Sequence, residues 1–286
     1  MPHPQYSVEV PAEMVPLHRA VDSFGISAKL LKTSRSTRLD ASYFNPAVAR
    51  ALETLRHSGM SLVPLGEITE SVFIPNRFKR IYVEREYGIP FLQGSHVVHF
   101  QPANIKYVSR TAHKNLERWI IREGWILITR SGTVGRVALC PPEWDNWAAS
   151  EHILRVIPNE EVCSAGYLYS FLASPLGHIQ LTAQIYGAVV DELTEEQTRS
   201  VMVPMPQTTE QGEMVNRIDG IARRAVRARS KAVGLIDSAA AEVSDLVQGD
   251  KEDMLIASER LRELKENPAS GASGEELEKE LKRLEA

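Results

Sequence analysis

The side chains best suited to chemistry in this chain are cations and hydrogen-bond donors carried on aromatic or glycine-containing stretches. In Phe73-Ile74-Pro75-Asn76-Arg77-Phe78-Lys79-Arg80-Ile81-Tyr82 the bases Arg77, Lys79 and Arg80 interleave with rings. Phe91-Leu92-Gln93-Gly94-Ser95-His96 sets an amide, a hydroxyl and an imidazole (Gln93, Ser95, His96) around a glycine. Residues 125–137 read W-I-L-I-T-R-S-G-T-V-G-R-V and carry Arg130, Ser131, Thr133 and Arg136 about a bend. Gln184-Ile185-Tyr186-Gly187-Ala188-Val189-Val190 adds a second amide and, in Tyr186, a phenol. Arg and Lys fork onto guanine and Gln onto adenine, while hydroxyls and imidazoles reach base edges or phosphates. Gly132, Gly135 and Gly187 are assigned to turn geometry.

Charge is distributed in keeping with that chemistry. The net charge is only -4 over 286 residues. Yet residues 76–136 hold eleven Arg and Lys against four acids, an excess that a phosphate backbone would attract. Solvated surface charge is the competing explanation. Residues 249–286 are acidic, with eleven acids and seven bases.

Catalysis is poorly supported. There is no Gly-x-Ser-x-Gly elbow, Walker loop, Gly-x-Gly-x-x-Gly or Asn/Asp-Pro-Pro-aromatic motif. Ser131, Ser150 and His152 have no acid in an evident fixed relation. His96 and His99, read as strand residues, point to opposite faces and chelate poorly. Asp191-Glu192 and Glu195-Glu196 read as a turn leading into a helix, and not as a magnesium site. Cys140 and Cys163 are too few for a zinc or disulfide framework. No metal site is expected. The N-terminal Met-Pro-His-Pro lacks a signal-peptide profile and no apolar run reaches membrane-spanning length, so a cytoplasmic location is expected.

The elements that must position these groups read as α+β. Asn45 and Pro46 start a helix to about His57, with Val48, Leu52 and Leu55 on one face. From 60 to 205 short strands and turns dominate: 81–83, 89–92, 97–100, a hairpin over 125–139, and 153–157. Helical pieces are expected near 112–119, at 165–172 and from Pro175 to about Gln184. Past Val203-Pro204-Met205-Pro206, Thr208 and Gln211 form a capping box. Apolar residues including Ile218, Ile221, Ala225, Ala232, Ile236 and Val243 then recur at three- and four-residue steps. They predict a long helix over 206–248 that pairs with another helix. A membrane-surface helix is the weaker alternative, because six bases and six acids cancel over 206–248. The tail, 249–286, reads as two short helical stretches, 253–265 and 274–284.

Taken in order, these pieces resemble the DNA-specificity subunit of Type I restriction–modification systems, over roughly residues 38–248. The carriers are Arg38-Leu39-Asp40-Ala41-Ser42-Tyr43-Phe44, Gly88-Ile89-Pro90-Phe91-Leu92, the 125–135 hairpin, Ala149-Ser150-Glu151-His152-Ile153-Leu154-Arg155, residues 167–177 and Tyr186-Gly187-Ala188-Val189-Val190. The resemblance implies a target-recognition domain of mixed strands and helices at 60–205, behind an N-terminal segment and helix at 1–59. It implies a coiled-coil-like spacer at 206–248 and a charged tail at 249–286. Full-length members carry two recognition domains. Here one is found and no internal repeat, which implies a half-length form that homodimerises or pairs with a second half. The implied partners are double-stranded DNA, a DNA methyltransferase subunit that binds S-adenosylmethionine and, in some systems, a restriction or translocase subunit. The chain itself would be non-catalytic and without a cofactor. Base-contacting residues in that family vary with the sequence read, so the candidates above rest on residue type and loop position. A non-enzymatic scaffold recruiting partners through its long helix is the alternative.

Overall fold

The computed structural model describes residues 46–99, 101–113, 116–182 and 192–266. The elements are α1 (Pro46–His57), β1 (Ser61–Pro64), β2 (Thr69–Phe73), β3 (Tyr82–Val83), β4 (Gly88–Leu92), β5 (Lys106–Ser109), β6 (Ile126–Thr129), β7 (Val137–Leu139), β8 (Ala148–Ala149) and β9 (Ile153–Pro158). They continue with α2 (Ala165–Ala173), α3 (Pro175–Thr182), α4 (Glu195–Arg199), β10 (Met202–Met205) and α5 (Thr209–Glu266). Mixed strands and helices without βαβ alternation make this an α+β fold.

The expected hairpin forms. Ile126, Leu127 and Ile128 of β6 face Leu139, Ala138 and Val137 of β7 in antiparallel register. β9 pairs with β6 on its other side and with β2 beyond, giving the order β2-β9-β6-β7. This sheet is covered on both faces, which explains the unbroken apolar runs of β6 and β9. Ile126, Ile128, Leu154 and Val156 enter one core with α1, α2 and α3. Leu127 and Ile153 point the other way, into a second core with Leu92, Ile121, Trp144 and Ala149. That second core joins the sheet to a smaller one ordered β3-β5-β4-β8. β1 and β10 pair antiparallel from Ser61↔Met205 to Pro64↔Met202, bringing the two ends of the strand-rich region together.

Two readings from sequence change. Residues 97–99 are not a strand: Gly94–Val98 forms a 3₁₀ turn, because Gln93 and His96 bond across it and Val97, unlike Val98, turns into the core. The helical piece at 112–119 reduces to 3₁₀ at Leu116–Trp119 among the described residues.

The long helix is one element of 58 residues, about 87 Å. It continues past 248 through the stretch read as a separate helix at 253–265. Gly249 does not end it, because the Lys, Glu, Leu, Arg and Met that follow favour helix strongly. At its start the backbone N–H of Gln211 donates to Thr208 Oγ1 at 3.3 Å, while the Gln211 amide accepts from Gln207 N–H at 2.8 Å. Val215, Ile218, Ala222 and Val226 lie against the main core or are themselves buried. Ile218, expected on the partner stripe, therefore faces the strand-rich domain. Further along, Leu235 (63% exposed), Ile236, Val243, Leu246 (67%) and Val247 project into solvent.

Candidate nucleic-acid interface

The loop between β2 and β3 is held by one ring. Phe78 stacks at a tilt on Trp119 with centroids 4.2 Å apart and meets Phe91 and His113 edge-on. Trp119 Nε1 donates to the carbonyl of Asn76 at 2.9 Å. With Phe78 turned inward, its neighbours Arg77 and Lys79 are exposed. Neither makes an ion pair with a described residue.

Arg80 behaves differently. Its guanidinium lies 5.2 Å from the Phe91 ring centroid, and Nη2 donates to both carboxylate oxygens of Glu151, at 2.7 and 2.6 Å. Glu151 is only 5% exposed. Burial by itself would raise its carboxyl, but the Arg80 hydrogen bond, its own backbone N–H and the nearby positive charge hold it below the ordinary carboxylate range. Burial likewise works against the Arg80 charge, and Glu151 more than compensates, leaving Arg80 raised.

Glu151 is followed by His152 in the turn between β8 and β9, and His152 reaches the hairpin bend. His152 Nδ1 lies 2.7 Å from Ser131 Oγ, and the backbone N–H of Arg130 donates to the His152 carbonyl at 2.9 Å. The two basic stretches picked out in the sequence, about fifty residues apart, are thus joined through Arg80, Glu151, His152 and Ser131. Arg130 itself forms an ion pair with Glu192. Gly132 and Gly135 adopt positive φ (73° and 80°), and a Cβ at Gly135 would sit 2.7 Å from Thr182 Cγ2. The bend therefore turns tightly under α3, with Thr133 and Arg136 exposed above it.

Beneath the turn lies Arg155, fully buried. Its Nη1 donates to the carbonyls of Ser150 (2.8 Å) and Ile153, and its Nη2 to those of Ala149 and Trp119. Burial lowers its guanidinium to about 9, against the pull of Glu151. The group remains charged at neutral pH and pins the Ser150–Ile153 turn from below.

Ser131, His152 and Glu151 are ordered like a nucleophile, base and acid, but they do not form a catalytic relay. Glu151 Oε1 is 3.7 Å from His152 Nε2, beyond hydrogen-bonding distance, and both carboxylate oxygens are taken by Arg80. Among the described residues no group of three or more His, Cys, Asp or Glu could hold a metal.

The candidate residues therefore fall in different surroundings. Arg77, Lys79, Ser95, Thr133 and Arg136 are exposed; Gln93 and Ser131 are half-buried. Arg80 and Arg130 are tied to carboxylates. His96 is buried, with Nδ1 accepting from the Gln93 backbone N–H at 3.2 Å. Burial and, secondarily, the charge of His99 lower its pKa. It is a structural residue of the turn and is not displayed. Tyr186 lies outside the described residues. Sequence reading missed Glu151 and Arg155 and set Glu192 and His152 aside, although Ser150-Glu151-His152 was already visible as a polar interruption before an apolar strand.

A family profile, the Type I restriction modification DNA specificity domain, matches residues 58–231, more than half of the chain. The chain belongs to that family. Its specificity subunits are non-catalytic. The matched span of this specificity-domain protein holds the joined loops and the start of α5. A comparison with curated proteins finds no match. Among solved structures the chain is similar to the HsdS subunit from Thermoanaerobacter tengcongensis, with 20% identity, TM-score 0.42, and coverage of 75% of this chain and 51% of that one. It is also similar to a chain from a study of complex assembly and conformational transition of the type I R-M system (19%, TM-score 0.43, 73% and 53%). A third is the Type I restriction-modification system S subunit from M. genitalium (12%, TM-score 0.36, 72% and 47%). The chain thus spans about half the length of these solved relatives. No helix among the described residues is long and apolar enough to cross a membrane.

Proposed function

We propose that this chain is a sequence-specific DNA-recognition subunit that directs a DNA methyltransferase to a split target site. The observation that carries the reading is the junction Arg80–Glu151–His152–Ser131. It puts the Arg77/Lys79 loop and the Thr133/Arg136 bend side by side, so one duplex can meet both. Bases of both loops then grip phosphate, and Ser95, Gln93 and Thr133 lie within the same region of the chain for base edges. The methylating chemistry and its S-adenosylmethionine belong to the partner subunit, with a restriction subunit as a further partner, in the cytoplasm.

The exposed apolar residues of α5 support pairing with a second copy or a second half-specificity subunit. Ile221, Ala225, Ala232, Ile236 and Val243 recur at four- and seven-residue steps, and Ile221, Ile236 and Val243 are about half or more exposed. A two-fold pair of this kind reads an interrupted palindrome, since the symmetry of site and protein correspond.

Charge reversal at Arg77 and Lys79 tests the DNA face without disturbing an ion pair. Duplex affinity of the assembled complex should fall, and the slope of log affinity against log salt should flatten by about 0.9 for each lost phosphate contact. An unchanged slope would remove the 74–81 loop from the interface.

A further inference from the structure

Two acids from other segments, Glu151 of the β8–β9 turn and Glu192 ahead of α4, are placed against the candidate cations. Arg80 is held by Glu151 and Arg130 by Glu192, whereas Arg77, Lys79 and Arg136 are exposed and make no ion pair among the described residues. Both paired arginines are shielded, with side-chain exposures of 28% for Arg80 and 16% for Arg130; their partners show 6% and 26%. Shielding makes these pairs stronger than surface ion pairs, which contribute little. In each pair the carboxylate contacts are made through Nη2 alone.

A duplex attracts unpaired cations irrespective of sequence, because each phosphate contact releases counterions. An arginine already facing a carboxylate belongs to a pair with no net charge to release them with, and its carboxylate repels an approaching phosphate. Its guanidinium is nonetheless fixed in direction, which lowers the entropy lost when it meets a base acceptor. The pairing therefore trades general grip for discrimination. The two pairs flank the Ser131–His152 contact, one on each loop, so they act on the same stretch of a bound duplex.

We propose that Glu151 and Glu192 are specificity-determining positioning residues. They neutralise and aim Arg80 and Arg130, and so suppress sequence-independent binding to the phosphodiester backbone. This rests on the DNA-recognition reading above and deepens it: the acids contact arginine and not DNA.

The test uses Glu151→Gln and Glu192→Gln in the full chain, alone and assembled with its methyltransferase, against random-sequence duplex over a salt series. Glutamine keeps the shape and an acceptor oxygen while removing the charge. Each variant should bind random duplex about eightfold more tightly at 0.1 M salt, with a salt slope steeper by about 0.9. The preference of the complex for its target over random duplex should narrow by a similar factor. A merely structural role would weaken both kinds of binding and leave the slope alone. Random-duplex affinity that stays the same or falls in the variants overturns the proposal. Should Glu151→Gln fail to fold, its carboxylate being buried, the more exposed Glu192→Gln decides the matter by the same readouts. A wild-type chain that binds no duplex in either state overturns the DNA-recognition reading instead, whatever the acids do.

Discussion

Arg155 shows how single residues make this site rigid. A guanidinium with no exposed surface would be costly if unpaired, and Glu151 supports its charge only at a distance. Four carbonyls engage its two Nη groups instead, three from residues 149–153 and one from Trp119. The turn that bears Glu151 and His152 is thus built around a buried cation. Arg155→Met should remove the guanidinium donors from those carbonyls and destabilise the protein by about 3–5 kcal/mol. That corresponds to a melting temperature roughly 10 °C lower for a domain of this size. A change below about 1 kcal/mol in a urea titration would mean that the carbonyls find other partners and that Arg155 does not hold the turn.

At the scale of elements, the contact between α2 and α5 fixes how the spacer leaves the strand-rich domain. Gly166 of α2 lies so close to α5 that a Cβ would stand 2.5 Å from Asp219 Oδ1 and 2.8 Å from Asp219 O. Its backbone N–H donates to the same Asp219 oxygen at 2.9 Å, and Asp219 also accepts from Arg223, which reaches Glu160. Gly166→Ala should force the helices apart and cost about 1–3 kcal/mol, read as a lower denaturation midpoint. A neutral effect would show that the joint is loose. Elements whose periodicity matches their burial were legible in the sequence: the 126–139 hairpin, the helix from Pro46, the 165–173 helix and the long spacer. The 3₁₀ turn at Gly94–Val98 was not, because two adjacent valines imitate a strand until the Gln93–His96 bond is known. The site was legible in its residue types but not in its pairing. Arg80 and Glu151 are 71 residues apart, and nothing local distinguishes Arg80 from the exposed Lys79 beside it. Hence the bases were found, and the acids that neutralise two of them were not.

The whole molecule is a strand-rich head carried on one rod. The first part of α5 is tied to the head as far as Asp237. Arg229 lies over the Trp144 ring at 5.0 Å and donates to the His99 carbonyl at 3.0 Å, and Gln101 donates to Asp237 at 2.6 Å. Beyond that point the helix presents Val243, Leu246, Val247 and Ile256 to solvent. If the rod pairs along its free half as proposed, a head fixed in angle on it gives two heads at a set separation. DNA half-sites read by them would be separated by a fixed number of base pairs. The decisive measurement is selection of bound sequences from a randomised duplex pool by the chain assembled with its methyltransferase. The account predicts recovery of two short inverted half-sites at one constant spacing. Recovery of sequences with no shared pattern would contradict it.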